Sequence, residues 1–463
     1  VRERGAASQR DRRQGKGADG HTDPRLITKK IMEAHRVMGV VKQERSNPKL
    51  DFFAISVAWS RIAKMRQSIS DDVLKDPFLP DFVALTRDFA LRARVEAKRN
   101  ARTVSSIFWA LAKLGEQMPL QLESLHSSLA EAAKHTARHM DAQGIANVIY
   151  AIPTLSESGD ASLLRVLPAL GVRVKEVSSS MNEQDVANTV WAIAKLSDSG
   201  YDSLLEVLPV LAVRATEVRS ELNTQAIANV IWAAAKLSES GDNSLLVALS
   251  FLAVRVEEVT SIMNAQDVGN VIWAAAKLSE SGDISLMAVL PCLAGQVNKV
   301  RPDMNAQNVA NVIWAAAKLS EMGDDSVLAT LPTLAARAKE TMSDMQAQNV
   351  ANIIWATAKV LECGDDSLLA VLATLAIRVE KVRSDMNAQE VANVIWATAK
   401  LSEAGDNSMR AVLPSLASQA KEVSSDMIAQ HIANVIWAAA KLSDMGDDSV
   451  LAALPKLAVR AKQ

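Results

Sequence analysis

The chain has 463 residues, 49% hydrophobic and 22% charged, a balance that suits a folded protein and excludes a wholly disordered one. No apolar run reaches the roughly eighteen residues that span a membrane, so no membrane insertion is expected, and Cys292 and Cys363 suggest neither a disulfide framework nor a metal site. The net charge of −2 conceals an asymmetry: 26 Lys and Arg against 16 Asp and Glu over residues 1–140 give +10, and 25 against 37 over residues 141–463 give −12.

In chain order, residues 1–25 lack apolar periodicity and are rich in Arg and Gly, so a disordered basic tail is expected. The start at Val1 and the stop at Gln463 suggest a processed or incomplete chain. Residues 26–140 read as a degenerate helical N-terminal cap. Within it, "ISVAWSRIAKM" at 55–65 and "SSIFWALAKLG" at 105–115 are worn copies of a later helix. Pairing Trp59 with Trp109 places an insertion of nine residues between them, attributed to a loop at "DPFLPD", 76–81.

From residue 141 the chain repeats itself. Asn147, Asn188, Asn229, Asn270, Asn311, Asn352, Asn393 and Asn434 fall 41 residues apart, the signature of a stacked repeat array. About eight such units fill residues 141–463. In the unit 264–304, Asn264 is a helix N-cap with Asp267 at the capping-box position, and Gly282 suits a left-handed C-terminal cap. A second helix follows, capped by Asp283 or Ser285, with Pro291 about six residues inside. Pro168, Pro209, Pro332, Pro414 and Pro455 share that place, while Ser250 and Ala373 replace it. A proline so deep predicts a kink or a separate short first turn. The predicted fold is all-α: a right-handed αα-solenoid of 41-residue two-helix units, with the first helix, A, on the inner surface.

Gln184, Asn188, Trp191 and Lys195 are spaced i, i+4, i+7, i+11 and share a narrow arc of helix A, while Val186, Val190, Ile193 and Ala194 form its core side. The quartet recurs as Gln225, Asn229, Trp232, Lys236; Gln266, Asn270, Trp273, Lys277; and Gln307, Asn311, Trp314, Lys318. It continues as Gln348, Asn352, Trp355, Lys359; Gln389, Asn393, Trp396, Lys400; and Gln430, Asn434, Trp437, Lys441. The first unit has Gln143 and Asn147 but Tyr150 and Thr154. Such rows suit a single nucleic-acid strand: amides for base edges, indoles for stacking, ammonium groups for phosphates. They also suit a buried Trp and Asn packing row with solvated lysines. Because Glu280, Asp283, Glu321, Asp324 and Asp325 sit at helix ends, the lysines a turn inside are expected to stay locally positive.

Beside each Gln the chain varies: Gly144, Asp185, Ala226, Asp267, Asn308, Asn349, Glu390, His431. In binders that read one base per repeat, variable positions carry the code. The alternative is a solvent-facing capping position. His135 and His139 lack a third ligand, and the "SGD" turns lack a serine–histidine–acid set, so neither metal, cofactor nor catalysis is expected.

The string "NAQ-x-VANVIWAAAKL" resembles helix A of the octotricopeptide-like repeats, which occur with RAP-domain and FAST-kinase-like proteins in algal and protist organelles. The resemblance covers residues 141–463, with traces back to 55. It implies a non-catalytic RNA-binding protein of a mitochondrion or plastid, acting on organellar transcripts or ribosomal RNA, or a scaffold subunit of an organellar assembly such as a ribosome. A second resemblance is to armadillo repeats, which hold extended peptides on Trp and Asn rows. There Trp precedes Asn, whereas here Asn precedes Trp by three residues.

Overall fold

A computed structural model describes residues 39, 52–65, 78–115, 119–156 and 161–461. The expected tail at 1–25 lies outside them. The described residues hold twenty α-helices and no strand. The first four are α1 (Phe52–Lys64), α2 (Phe78–Arg92), α3 (Ala97–Leu114) and α4 (Pro119–Thr136). The array follows in A and B pairs: α5 (Ala142–Ser156) and α6 (Leu167–Val177), α7 (Glu183–Asp198) and α8 (Leu208–Glu217), α9 (Thr224–Glu239) and α10 (Leu246–Val259). Next come α11 (Ala265–Glu280) and α12 (Leu290–Val300), α13 (Ala306–Glu321) and α14 (Leu331–Glu340), α15 (Ala347–Glu362) and α16 (Leu372–Val382). The last pairs are α17 (Ala388–Glu403) and α18 (Leu413–Glu422), then α19 (Ala429–Asp444) and α20 (Leu454–Arg460).

Each helix A packs along its length on the A helices before and after it, whereas B helices touch one another more sparsely. The A helices form the more closely packed layer of a helical solenoid, and the side of that layer turned away from the B helices is termed its inner face. The stacking continues through α1, α3 and α5, with α2 against α4 behind them. Small residues permit the close approach. Ala233, Ala234 and Ala235 of α9 are buried, as are Val186, Val190, Ile193 and Ala194 of α7. Burying a Val or Ile contributes about 1.5–3 kcal/mol, and here a neighbour supplies that burial. Ile395 is 0% exposed between two A helices, but Ile436 in α19 is 44% exposed.

The ends of helix A are fixed by local hydrogen bonds. Asn182 accepts the Asp185 backbone N–H at 2.8 Å, and Asn264 accepts that of Asp267 at 2.9 Å. At the other end Gly282, with φ of 90°, lets its N–H reach Ser279 at 3.0 Å and the Asp283 N–H reach Leu278 at 2.9 Å, closing a Schellman motif. Asp283 then accepts the Ser285 N–H at 2.9 Å. The proline is not deep in a helix: a 3-10 turn, Met287–Val289, precedes α12, and Pro291 falls in the first turn of the α-helix, where its missing N–H costs nothing. Ala373 keeps the same turn, Leu369–Val371, while with Ser250 helix B is continuous over Leu246–Val259. Proline therefore favours the turn without being required for it.

Two expectations for the cap are corrected. The supposed loop at 76–81 is helical from Phe78, with Pro80 tolerated in the first turn of α2. Trp59 belongs to the core, wholly buried, stacked on Phe82 at 4.9 Å and donating its indole N–H to Thr86 at 2.9 Å. Ser60 is the residue that stands beside Trp109 on the inner face, so the first copy is displaced by one from the supposed register.

Candidate ligand-binding face

The structure brings the predicted stripe together as four rows along the inner face, but the rows differ in what they do. From Gln184 to Gln430 the Gln side chains are exposed, and from Asn188 to Asn434 the Asn side chains are half-buried. Among the described residues, no side-chain hydrogen bond engages the amides of either row, from Gln184 and Asn188 through Gln430 and Asn434. Each repeat thus presents two uncommitted amides, each able to donate and accept.

The Trp and Lys rows are committed to each other. Trp232 and Trp273, Trp314 and Trp355, and Trp396 and Trp437 pair at ring-centroid distances of 6.4, 6.4 and 6.3 Å. Each ammonium caps the indole one repeat on: Lys195 lies 5.2 Å from Trp232, Lys277 4.8 Å from Trp314, Lys318 4.7 Å from Trp355 and Lys359 5.0 Å from Trp396. Apart from Lys195, these lysines also bridge carboxylates of two repeats. Lys277 meets Glu239 at 2.8 Å and Glu280 at 3.3 Å, Lys318 meets Glu280 at 3.1 Å and Glu321 at 3.2 Å, and Lys359 meets Glu321 at 2.7 Å and Glu362 at 3.5 Å. The ladder runs from Asp198, through Lys236 and Lys400, to Lys441 on Glu403. Burial works against the charge of Lys236, but Glu239 and Asp198 outweigh it and hold its pKa above the ordinary lysine value. Burial likewise opposes ionisation of Glu321, yet Lys359 and Lys318 hold its pKa below the ordinary range. The expectation of a separate, locally positive lysine row is therefore corrected: Glu280 and Glu321 neutralise Lys277 and Lys318.

The variable positions keep the expected capping role in several repeats but not the expected exposure. Asp185, Ala226, Asp267, Asn308 and Asn349 are buried, and Glu390 and His431 are half-buried, so the row faces the neighbouring helix rather than open solvent. Several turn back to cap their own helix: Asp185 accepts the Asn182 N–H at 3.2 Å, Asn308 that of Asn305 at 3.3 Å, and Glu390 that of Asn387 at 3.0 Å. Burial pushes the Asp185 and Asp267 carboxyls up, and Asp267 Oδ2 has no partner among the described residues. Burial pushes His431 down.

One row was missed in the sequence. Arg173, Arg214 and Arg337 of helix B donate to the carbonyls of Met140, Met181 and Met304 at 2.9, 2.8 and 2.8 Å, tying each B helix to the buried residue before its A helix. Gln296 and Gln419 reach Met263 and Met386 in the same way at 3.0 and 3.2 Å. The signal was present as Arg or Gln at a fixed place in every unit.

No helix among the described residues is long and apolar enough to cross a membrane, and no group of three or more of their His, Cys, Asp and Glu side chains is placed to hold a metal ion. No family model and no curated protein matches the chain. It is similar to a homology model of the full-length AP-3 complex in an intermediate open conformation, with 11% identity over 96% of this chain and 86% of the other, at a TM-score of 0.25. It is also similar to a circular tandem repeat protein with novel repeat topology, with 15% identity over 95% and 94% of the two chains, at a TM-score of 0.20. Neither likeness carries an argument at these scores; the solenoid rests on its own helix packing.

Proposed function

We propose that the inner face binds single-stranded RNA without catalysis, with base edges toward the Gln and Asn rows and phosphates toward solvent. The observation that carries this reading is the pair of amide rows without internal partners, one Gln and one Asn per repeat. Side-chain amides match the donor and acceptor edges of unpaired bases. The acidic balance of residues 141–463 opposes a phosphate-first clamp but not base-edge contact. Because the rows are the same in every repeat, binding tolerates sequence. The resemblance to octotricopeptide-like repeats supports an organellar transcript or ribosomal RNA as ligand. The test is a salt series of affinity for labelled single-stranded RNAs of different sequence. A log–log slope no steeper than about −2 is expected, since each neutralised phosphate contributes about −0.7; a steep slope contradicts the base-inward arrangement.

A second reading is favoured by the neutralised lysines. Amide rows also match the N–H and C=O groups of an extended polypeptide, as in a peptide-binding array or a scaffold subunit. Saturable binding of unstructured peptides, with none of RNA, would establish it in place of the first.

A further inference from the structure

At its N-terminal end the inner face departs from the repeat. In α3 the place of the Gln row is taken by Arg102 and that of the Asn row by Ser106, while Trp109 keeps the aromatic place. On α5 the variable position is Gly144, where an added Cβ would stand 3.0 Å from Asp141 Oδ1 and 3.3 Å from Ser105 Oγ. The missing side chain helps open a groove of about 400 Å³, bordered by Ser60, Arg102, Ser106, Trp109, Gln143 and Asn147 and continuing to Gln184 and Asn188. Around Arg102 and Ser106 it adjoins a second cavity of about 280 Å³, lined also by Asn100. Asn100 is 1% exposed; its Nδ2 donates to the Ala93 carbonyl at 3.1 Å, but its Oδ1 has no partner among the described residues.

The charges differ from those of the array. Lys277, Lys318 and Lys359 are each paired with two carboxylates, whereas no described carboxylate lies within ion-pair distance of the exposed Arg102. Two acids border the groove, and both are engaged: Asp141 Oδ1 accepts the Gly144 N–H at 2.8 Å, and Asp185 accepts the Asn182 N–H. Burial further disfavours the charged form of Asp185.

We propose that this groove holds the terminal, phosphate-bearing nucleotide of a strand lying on the amide rows. The Arg102 guanidinium meets the phosphate, the Ser60 and Ser106 hydroxyls bond to it, and Trp109 stacks the base. The site rests on the RNA reading above for the rest of the strand, and it gives the bound strand a fixed direction.

The test uses the full chain and one RNA sequence made with a 5′-phosphate, with a 3′-phosphate, or with hydroxyls at both ends. One phosphorylated form should bind about tenfold tighter than the hydroxyl form or better, as suits a charge-assisted contact. Which form it is assigns the strand direction. Arg102→Gln, which restores the residue of the row, should abolish that preference, so that the phosphorylated form loses far more affinity than the hydroxyl form. Equal binding of all three RNAs, or a preference that survives in Arg102→Gln, overturns the proposal. If no RNA binds, the array reading fails and the groove is judged on adenosine monophosphate alone. A Tm increase with that nucleotide, lost in Arg102→Gln, sustains the site, and no increase overturns it.

Discussion

Among single residues, the clearest contrast lies between Asn270 and Asp267, which share one helix turn. Asn270 is half-buried and its amide has no internal hydrogen bond, so little of the stability depends on it. Asn270→Ala should change stability by no more than about 0.5 kcal/mol while weakening ligand binding, read by a thermal melt beside a binding titration. Asp267 is buried with one oxygen unbonded, and burial raises its folded pKa. A raised carboxylate pKa means that its contribution to stability is most favourable below the unfolded pKa and is lost as pH rises through the folded one. Asp267→Asn, which copies Asn308 and Asn349 of sister repeats, should therefore raise Tm at neutral pH, with the gain fading on acidification. A gain that persists at low pH would locate the effect outside this carboxyl. The stripe was legible in the sequence because its period is strict. That its Trp members pack between repeats was one of two readings left open, and that its Lys members are ion-paired was not legible, since periodicity gives a face but not the neighbours across it.

Among elements, two devices hold repeats together. The Lys–Glu ladder crosses between A helices, and the Arg or Gln of helix B binds the last residue of the preceding repeat. Glu321 has a depressed pKa because Lys359 and Lys318 outweigh its burial. Its contribution is thus present above the unfolded carboxylate pKa and lost as pH falls through the folded value. Glu321→Gln should cost about 0.5–1 kcal/mol at neutral pH, in keeping with partly exposed pairs, and less in high salt. Arg337 should tolerate Gln, as Gln296 and Gln419 do the same work, whereas Arg337→Leu leaves the Met304 carbonyl without its partner and should cost about 1–3 kcal/mol in denaturant melts. Helix caps were readable from Asn264 and Gly282 because they depend on adjacent residues. The proline turn was readable only in part, since Ala373 and Ser250, which both replace the proline, take different courses. In α1 the register was misread because Trp59 imitates the stripe but packs in the core.

At the scale of the whole molecule, the solenoid separates a neutral, amide-lined surface from a charged ladder that runs beside it. The central claim is that ligand affinity resides in the amide rows and stability in the ladder. The most direct measurement compares two full-length variants for RNA affinity and Tm: one with Gln266, Gln307, Gln348 and Gln389 changed to Ala, the other with Lys236, Lys277, Lys318 and Lys400 changed to Gln. With bidentate amide–base contacts worth about 1–3 kcal/mol each, the first should lose at least about tenfold in affinity with an unchanged Tm. The second should melt lower yet bind nearly as well while folded. Unchanged affinity in the first variant with lost binding in the second would contradict the account and place the ligand on the lysines.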